Sequence, residues 1–265
     1  VFLIYAGVLM SEMKTKKYIF IIAMLWCMAS EAQTIQEQAF MQANHYYNES
    51  RYDSALVIYK SIIDEGYTSV PLLYNMGNTY FKLKDYPMAI LNYEKALKID
   101  PTNEEVKENL SIANALITDK IEPLPVFFLT RIWNNISNQL TADAWAITSL
   151  ILFALTMMSI FFYITTRKIG VKKATFFTNI IFATLFICTL IISYQKHTLL
   201  NSHNEAIVIV PTITVKSSPS SSGVDLFVLH EGSKVLVMDS ERDWDKIKIA
   251  DGSIGWVPSS TSIKY

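Results

Sequence analysis

Cysteine is nearly missing: the 265 residues hold only Cys27 and Cys188. The first lies in a leader-like stretch and the second inside an apolar run, so the soluble parts have neither a disulfide nor a thiolate metal site. Charge bias is also absent, with 23 basic against 24 acidic side chains, and such a balance does not point to nucleic acid as a partner. Glycine and proline are sparse, at eight each, and no low-complexity tract exists beyond Ser217–Ser222. There is no G-x-S-x-G elbow and no P-loop. His45, His197, His203 and His230 are scattered, with no helical ligand spacing to a carboxylate. Carboxylate pairs such as Glu104/Glu105 and Glu241/Asp243 fall in a helix start and a turn, where the helix dipole and solvation account for them. No catalytic residue, metal or cofactor is therefore expected, and the chain reads as a non-enzyme.

Two stretches lack charge altogether. Residues 144–166 and 174–195 contain no Asp, Glu, Lys or Arg. At a rise of about 1.5 Å per residue each can cross a hydrocarbon core of roughly 30 Å. Between them, 167–173 is a short turn with four basic residues and no acidic one. Positive-inside bias places that turn in the cytoplasm and both flanking modules on the other side. A hairpin returns the chain to the face it left, so those modules share one compartment. Thr148, Ser149, Thr156, Ser159, Thr178, Asn179, Thr184 and Thr189 are expected to hydrogen-bond between the two helices. The absence of intramembrane charge argues against transport by this chain alone.

What is present falls into modules. Within 1–32, Met13 opens a pattern of Lys14, Lys16 and Lys17, an apolar core, and small residues Ser30 and Ala32. That is the form of a signal peptide, with the start expected at Met13; a retained N-terminal anchor is the alternative. Residues 33–120 carry an internal repeat, in copies at about 36–69 and 70–103. At an offset of 34 the pairs are Ala43/Gly77, Tyr46/Tyr80, Tyr52/Tyr86, Ala55/Ala89, Tyr59/Tyr93 and Ile62/Ala96. This is the tetratricopeptide pattern of paired helices, with helices expected at about 36–48, 52–64, 70–83 and 86–98. Asp100-Pro101 ends the second copy. A fifth helix over 103–118, striped by Val106, Leu110, Ala113 and Ile117, would cap the stack. Two repeats and a cap are few, so support from a neighbour or the membrane is expected.

Residues 121–143 contain an amphipathic stretch, Phe127, Phe128, Leu129, Ile132, Trp133, Ile136 and Leu140, interleaved with Arg131 and asparagines. It is expected to lie in the membrane interface, or else to pack against the repeats. Thr141 can cap the first span. From 206 to 265 the pattern becomes short β-runs separated by turn signals, which suggests a small all-β barrel.

In that last module V-K-S-S-P (215–219), L-H-E-G (229–232), Trp244, Ile247 and D-G-S-I-G-W-V (251–257) resemble the bacterial SH3 domain, with Lys216 and Ser218 where Arg and Gly are usual. The order of modules, with F-V-L-H-E-G at 227–232, looks like the BatE proteins of the aerotolerance (Bat) operons of Bacteroides-type bacteria. The resemblance implies an inner-membrane protein with periplasmic repeats and SH3-like domain. Its partners would be other Bat proteins, some with von Willebrand factor A domains, and indirectly a MoxR-type ATPase. The repeats would bind a peptide along Phe40, Asn44 and Tyr47, then Tyr74, Asn75, Asn78, Phe81 and Lys82, where asparagines can hold a peptide backbone. A carboxylate clamp is not expected, since Phe40, Glu105 and Asn109 stand at its places; an uncommitted groove is the other reading. Peptidoglycan is the alternative partner, met by an SH3-like surface at Phe227 and Trp244, with Trp256 assigned to the core.

Overall fold

A computed structural model describes residues 35–265. The signal-peptide and Met13 expectations lie outside those residues. The chain divides between Thr68 and Ser69 into two compact units, each taken by itself.

The first unit holds helices α1 (35–48) and α2 (Tyr52–Asp64). The second begins with α3 (Val70–Lys82), α4 (Tyr86–Ile99) and α5 (Glu104–Leu116). Local chemistry explains the boundaries. Ser69, Asp85 and Asn103 accept hydrogen bonds from the backbone N–H groups of Leu72, Met88 and Val106, satisfying donors that a helix start leaves orphaned. The turns inside the two helix pairs use Ser50 and Lys84, both at positive φ (60° and 66°). These residues are one repeat apart, so the same left-handed turn is built twice.

The repeat register is reproduced in side-chain packing. Within the first unit Phe40 meets Tyr59 and Tyr47 meets Tyr52, with ring centroids 6.1 and 5.4 Å apart. Within the second, Tyr74 meets Tyr93 and Phe81 meets Tyr86, at 6.3 and 5.6 Å. Tyr59 and Tyr93 are almost wholly buried. At Gly77 an added Cβ would lie 2.4 Å from the Tyr93 ring, so that helix crossing has room for hydrogen alone.

Helices α6 (Phe128–Ser137), α7 (Ala142–Thr165) and α8 (Ile169–Asn201) follow. Thr141 caps α7 by accepting from Ala144 N–H at 3.3 Å. Both α7 and α8 are long and apolar enough to cross a membrane, and their large side chains, such as Phe161 and Phe177, are exposed. The expected basic turn 167–173 shrinks to a break at 166–168, because Lys172 and Lys173 lie within the first five residues of α8. Lysine is a good helix former and one glycine does not stop a helix; Lys172 also sits 5.0 Å over the Tyr163 ring. Likewise α8 continues past 195 into Lys196 and His197. Hydropathy marks the end of the apolar run, whereas helix length follows backbone hydrogen bonding. The expected interhelical hydroxyl bonds are also corrected. Thr148, Thr156, Thr178, Thr184 and Thr189 donate to carbonyls of their own helix, an option open to any mid-helix threonine. Ser159 does cross, donating to the Thr175 carbonyl at 3.1 Å.

Seven strands complete the chain: β1 Glu205–Val208, β2 Thr212–Lys216, β3 Asp225–His230, β4 Lys234–Glu241, β5 Trp244–Lys248, β6 Ile254–Pro258 and β7 Ser262–Lys264. They form one antiparallel sheet in the order β3-β2-β6-β5-β4-β1-β7. Ala206, Val208, Val215, Leu229, Val235, Val237, Ile247, Ile249 and Val257 make one core on its inner face. The sheet is strongly curled. Lys264 on β7 reaches Asp245 on β5 at 2.9 Å, although β1 and β4 stand between them; three strand spacings in a flat sheet would separate them by about 14 Å.

Candidate functional site

Three regions bear on function. The first is the repeat face. In the first unit Tyr59 Oη donates to Asn44 Oδ1 at 2.6 Å. In the second, Tyr93 Oη donates to Asn78 Oδ1 at 2.7 Å, the same bond one repeat later. Asn109 Nδ2 also donates to Asn78 Oδ1 at 2.8 Å and to Tyr74 Oη at 3.1 Å. The Asn78 oxygen is therefore saturated, since a carbonyl has two lone pairs. That oxygen holds α3, α4 and α5 in register. Phe81 is half-buried against Tyr86, and Lys82 is exposed beside it on α3. Tyr47 packs on Tyr52 within the first unit, and Asn75 has a partner of its own.

The second region, which the sequence did not reveal, joins the helices to the sheet. Ile117 leaves the end of α5 and packs onto the β3–β4 turn, where an added Cβ on Gly232 would lie 2.5 Å from Ile117 Cγ2. Gly232 also needs its positive φ of 87°, so glycine is required there twice over. The segment beyond α5 runs along the sheet, with Ile121 against its core and Leu124 N–H donating to the Ala250 carbonyl at 3.1 Å. On α4, Glu94 accepts from Lys234 Nζ at 2.8 Å and from Tyr265 Oη at 3.3 Å. Lys234 also pairs with Glu205 at 3.0 Å. Burial works against the Lys234 charge, but Glu94 and Glu205 outweigh it and hold its pKa above the usual lysine value. Burial, with the same two carboxylates, raises the Tyr265 phenol.

Asp119 is the centre of this joint. It accepts from His230 N–H at 2.7 Å, from the His230 ring at Nδ1 at 2.7 Å and from Ser233 Oγ at 2.6 Å. The trio has the residue types of a hydrolytic triad, but the wiring differs. A nucleophilic serine must give its proton to the histidine, whereas Ser233 bonds to the aspartate and is buried. The arrangement is a clamp. Burial alone would raise the Asp119 carboxyl; the hydrogen bonds from Ser233 and His230 outweigh it and hold its pKa below the usual value.

The third region is the outer face of the sheet. Phe227 and Trp244, expected to form one surface, do not come together. Phe227 packs on the inner core, while Trp244 alternates outward with Lys246 and Lys248 around buried Asp245 and Ile247. Successive strand residues point to opposite faces, and β2 and β6 also stand between them. Trp256, assigned to the core from its G-W-V context, is half-buried on the outer side of β6. It pairs in register with Lys216 and Lys246, and Lys246 Nζ lies 5.9 Å from its ring centroid. Among the described residues no group of three His, Cys, Asp or Glu side chains could hold a metal ion.

No curated protein matches the chain. The tetratricopeptide repeat family model matches residues 70–103, the bounds expected for the second repeat. The all-α N-terminal region is thus a tetratricopeptide-like solenoid, of a class that mediates binding to other proteins.

Proposed function

We propose that the chain is a non-enzymatic, membrane-anchored scaffold whose repeats bind a protein partner. The observation that carries this is the doubled packing unit of α1–α2 and α3–α4, with the family match on 70–103, in a chain that also has two helices able to span a membrane. The modules lie in the periplasm and the basic break between α7 and α8 in the cytoplasm, in keeping with positive-inside bias. Helix α6 lies in the interface. Its Phe128, Leu129, Ile132 and Ile136 are exposed, and at the edge of that stripe Trp133 donates to Gln195 of α8 at 3.1 Å. The C-terminal sheet is an SH3-like barrel, supported by its curl and single inner core. The setting is a complex of Bat-type membrane proteins, including von Willebrand factor A domain proteins.

A photo-crosslinker placed at Lys82 in intact cells tests the reading. A membrane protein with a von Willebrand factor A domain should be captured there, and Phe81→Ala should reduce its capture about tenfold, the effect of one apolar anchor. Capture no greater than from a crosslinker at Lys248 would sink it. A second reading, a peptidoglycan tether, is favoured by the outward Trp256 between Lys216 and Lys246. Co-sedimentation of the detergent-solubilised chain with purified cell wall, lost on Trp256→Ala, would select it.

A further inference from the structure

A cleft of about 290 Å³ lies between α6 and the last turns of α8. Trp133, Asn134 and Asn138 line one side, and Ile192, Lys196 and Leu199 the other. Lys196 supplies the only charge among the lining residues. Its ammonium donates to the neutral Asn138 amide oxygen, and among the described residues no carboxylate lines the cleft. A half-buried cation without a counter-ion calls for an anion.

The position along α8 says which kind. The charge-free run of that helix ends at Gln195, and Lys196 is the first charged residue beyond it. Two tryptophans stand at the same level with their N–H groups on polar partners: Trp133 on Gln195, and Trp145 on the Ser137 carbonyl at 3.0 Å. Indoles so placed mark the boundary between hydrocarbon and headgroups. Beside the cation the walls are apolar, Ile192 and Leu199, and the exposed Ile132 and Ile136 of α6 continue the apolar surface. A ligand that fits is negative at one end and hydrocarbon at the other.

We propose that this cleft binds the phosphate of a membrane phospholipid, with Lys196 as its cation, the Asn134 amide as a donor and the acyl chains running along Ile192 and α6. The inference rests on the reading that α7 and α8 span the bilayer. A free phosphate ion would use the cation but not the apolar walls.

The test uses the full chain purified in dodecylmaltoside, with phosphatidylglycerol as the probe and native mass spectrometry as the readout. The wild type should retain the lipid. Lys196→Gln should weaken its binding about tenfold, the effect of one charge-assisted hydrogen bond, while Lys196→Arg stays within about threefold. Equal retention by wild type and Lys196→Gln overturns the site, as does displacement of the lipid by excess inorganic phosphate, which would mark a plain anion site. Loss in Lys196→Arg as large as in Lys196→Gln would show a structural rather than an electrostatic role and also overturn it. Carbonate extraction of membranes separates the underlying reading: a chain released by carbonate refutes the spanning hairpin, whereas a retained chain indifferent to Lys196→Gln refutes the lipid site alone.

Discussion

Tyr93→Ala is expected to lower the unfolding free energy by about 3–5 kcal/mol, the range for removing a large aromatic from a tight core. Tyr93 is 1% exposed, its ring fills the gap over Gly77 and its hydroxyl holds Asn78. The converse change, Gly77→Ala, forces a methyl to 2.4 Å from that ring and should cost about 1–3 kcal/mol by overpacking. The ring cannot easily retreat, because its hydroxyl is tied at the far end. In the double variant the added methyl enters the space that the ring leaves, so the combined loss should be no larger than that of Tyr93→Ala alone. Urea unfolding of the detergent-solubilised chain, followed by far-UV circular dichroism, measures all three. Additive losses would show that residue 77 and the ring do not compete for one space. The first repeat has Ala43 where the second has Gly77, and Ala43 is also fully buried. The two copies share their contacts but differ by one methyl in how closely their helices approach.

Asp119→Ala should cost on the order of 3 kcal/mol, since it leaves the His230 N–H, the His230 ring and Ser233 Oγ without their acceptor in a half-buried joint. The loss should appear in the sheet as well as the helices, because Asp119 is where the segment after α5 grips the β3–β4 turn. The same clamp gives a pH signature. A carboxyl held below its ordinary value stabilises the fold fully above the unfolded pKa of about 3.9. That contribution disappears as pH falls from there through the lower folded value. The wild type should therefore lose stability on acidification in that window, and Asp119→Asn should lose less because it has no proton to take up. Urea midpoints between pH 6 and pH 3 would show it. Parallel curves for wild type and Asp119→Asn would remove the carboxylate from the account.

Much of this architecture was legible because it is periodic. A spacing of 34 residues between small and aromatic side chains implies paired helices, since one such pair cannot bury its own apolar face. The uncharged runs implied spanning length for the equally direct reason that charges are costly in hydrocarbon. Where periodicity gives way to pairwise geometry, residue type alone does not place a side chain. An amide on a groove helix, such as that of Asn78, can serve a peptide or its own fold. Only the placement of Tyr93 and Asn109 beside it commits its oxygen inward. Phe227 and Trp244 are both aromatic, but strand alternation sends one to the core and the other outward. The apolar neighbours of Trp256 suggest an inward place for it, although Gly255 and Val257 alone occupy the inner face.

The order of residues along the chain is enough to set the kinds of element and their succession: a helical repeat, a charge-free hairpin, then short strands. Local backbone chemistry and side-chain period fix these within each segment, and neither needs distant contacts. The tertiary structure decided how the modules of the second unit meet. Asp119 on His230 and Ser233, Glu94 with Lys234, and Lys196 facing the end of α6 link residues 58 to 140 positions apart. Each is an ordinary surface-type residue in its own segment. It acquires meaning only from the partner that folding brings within hydrogen-bond reach.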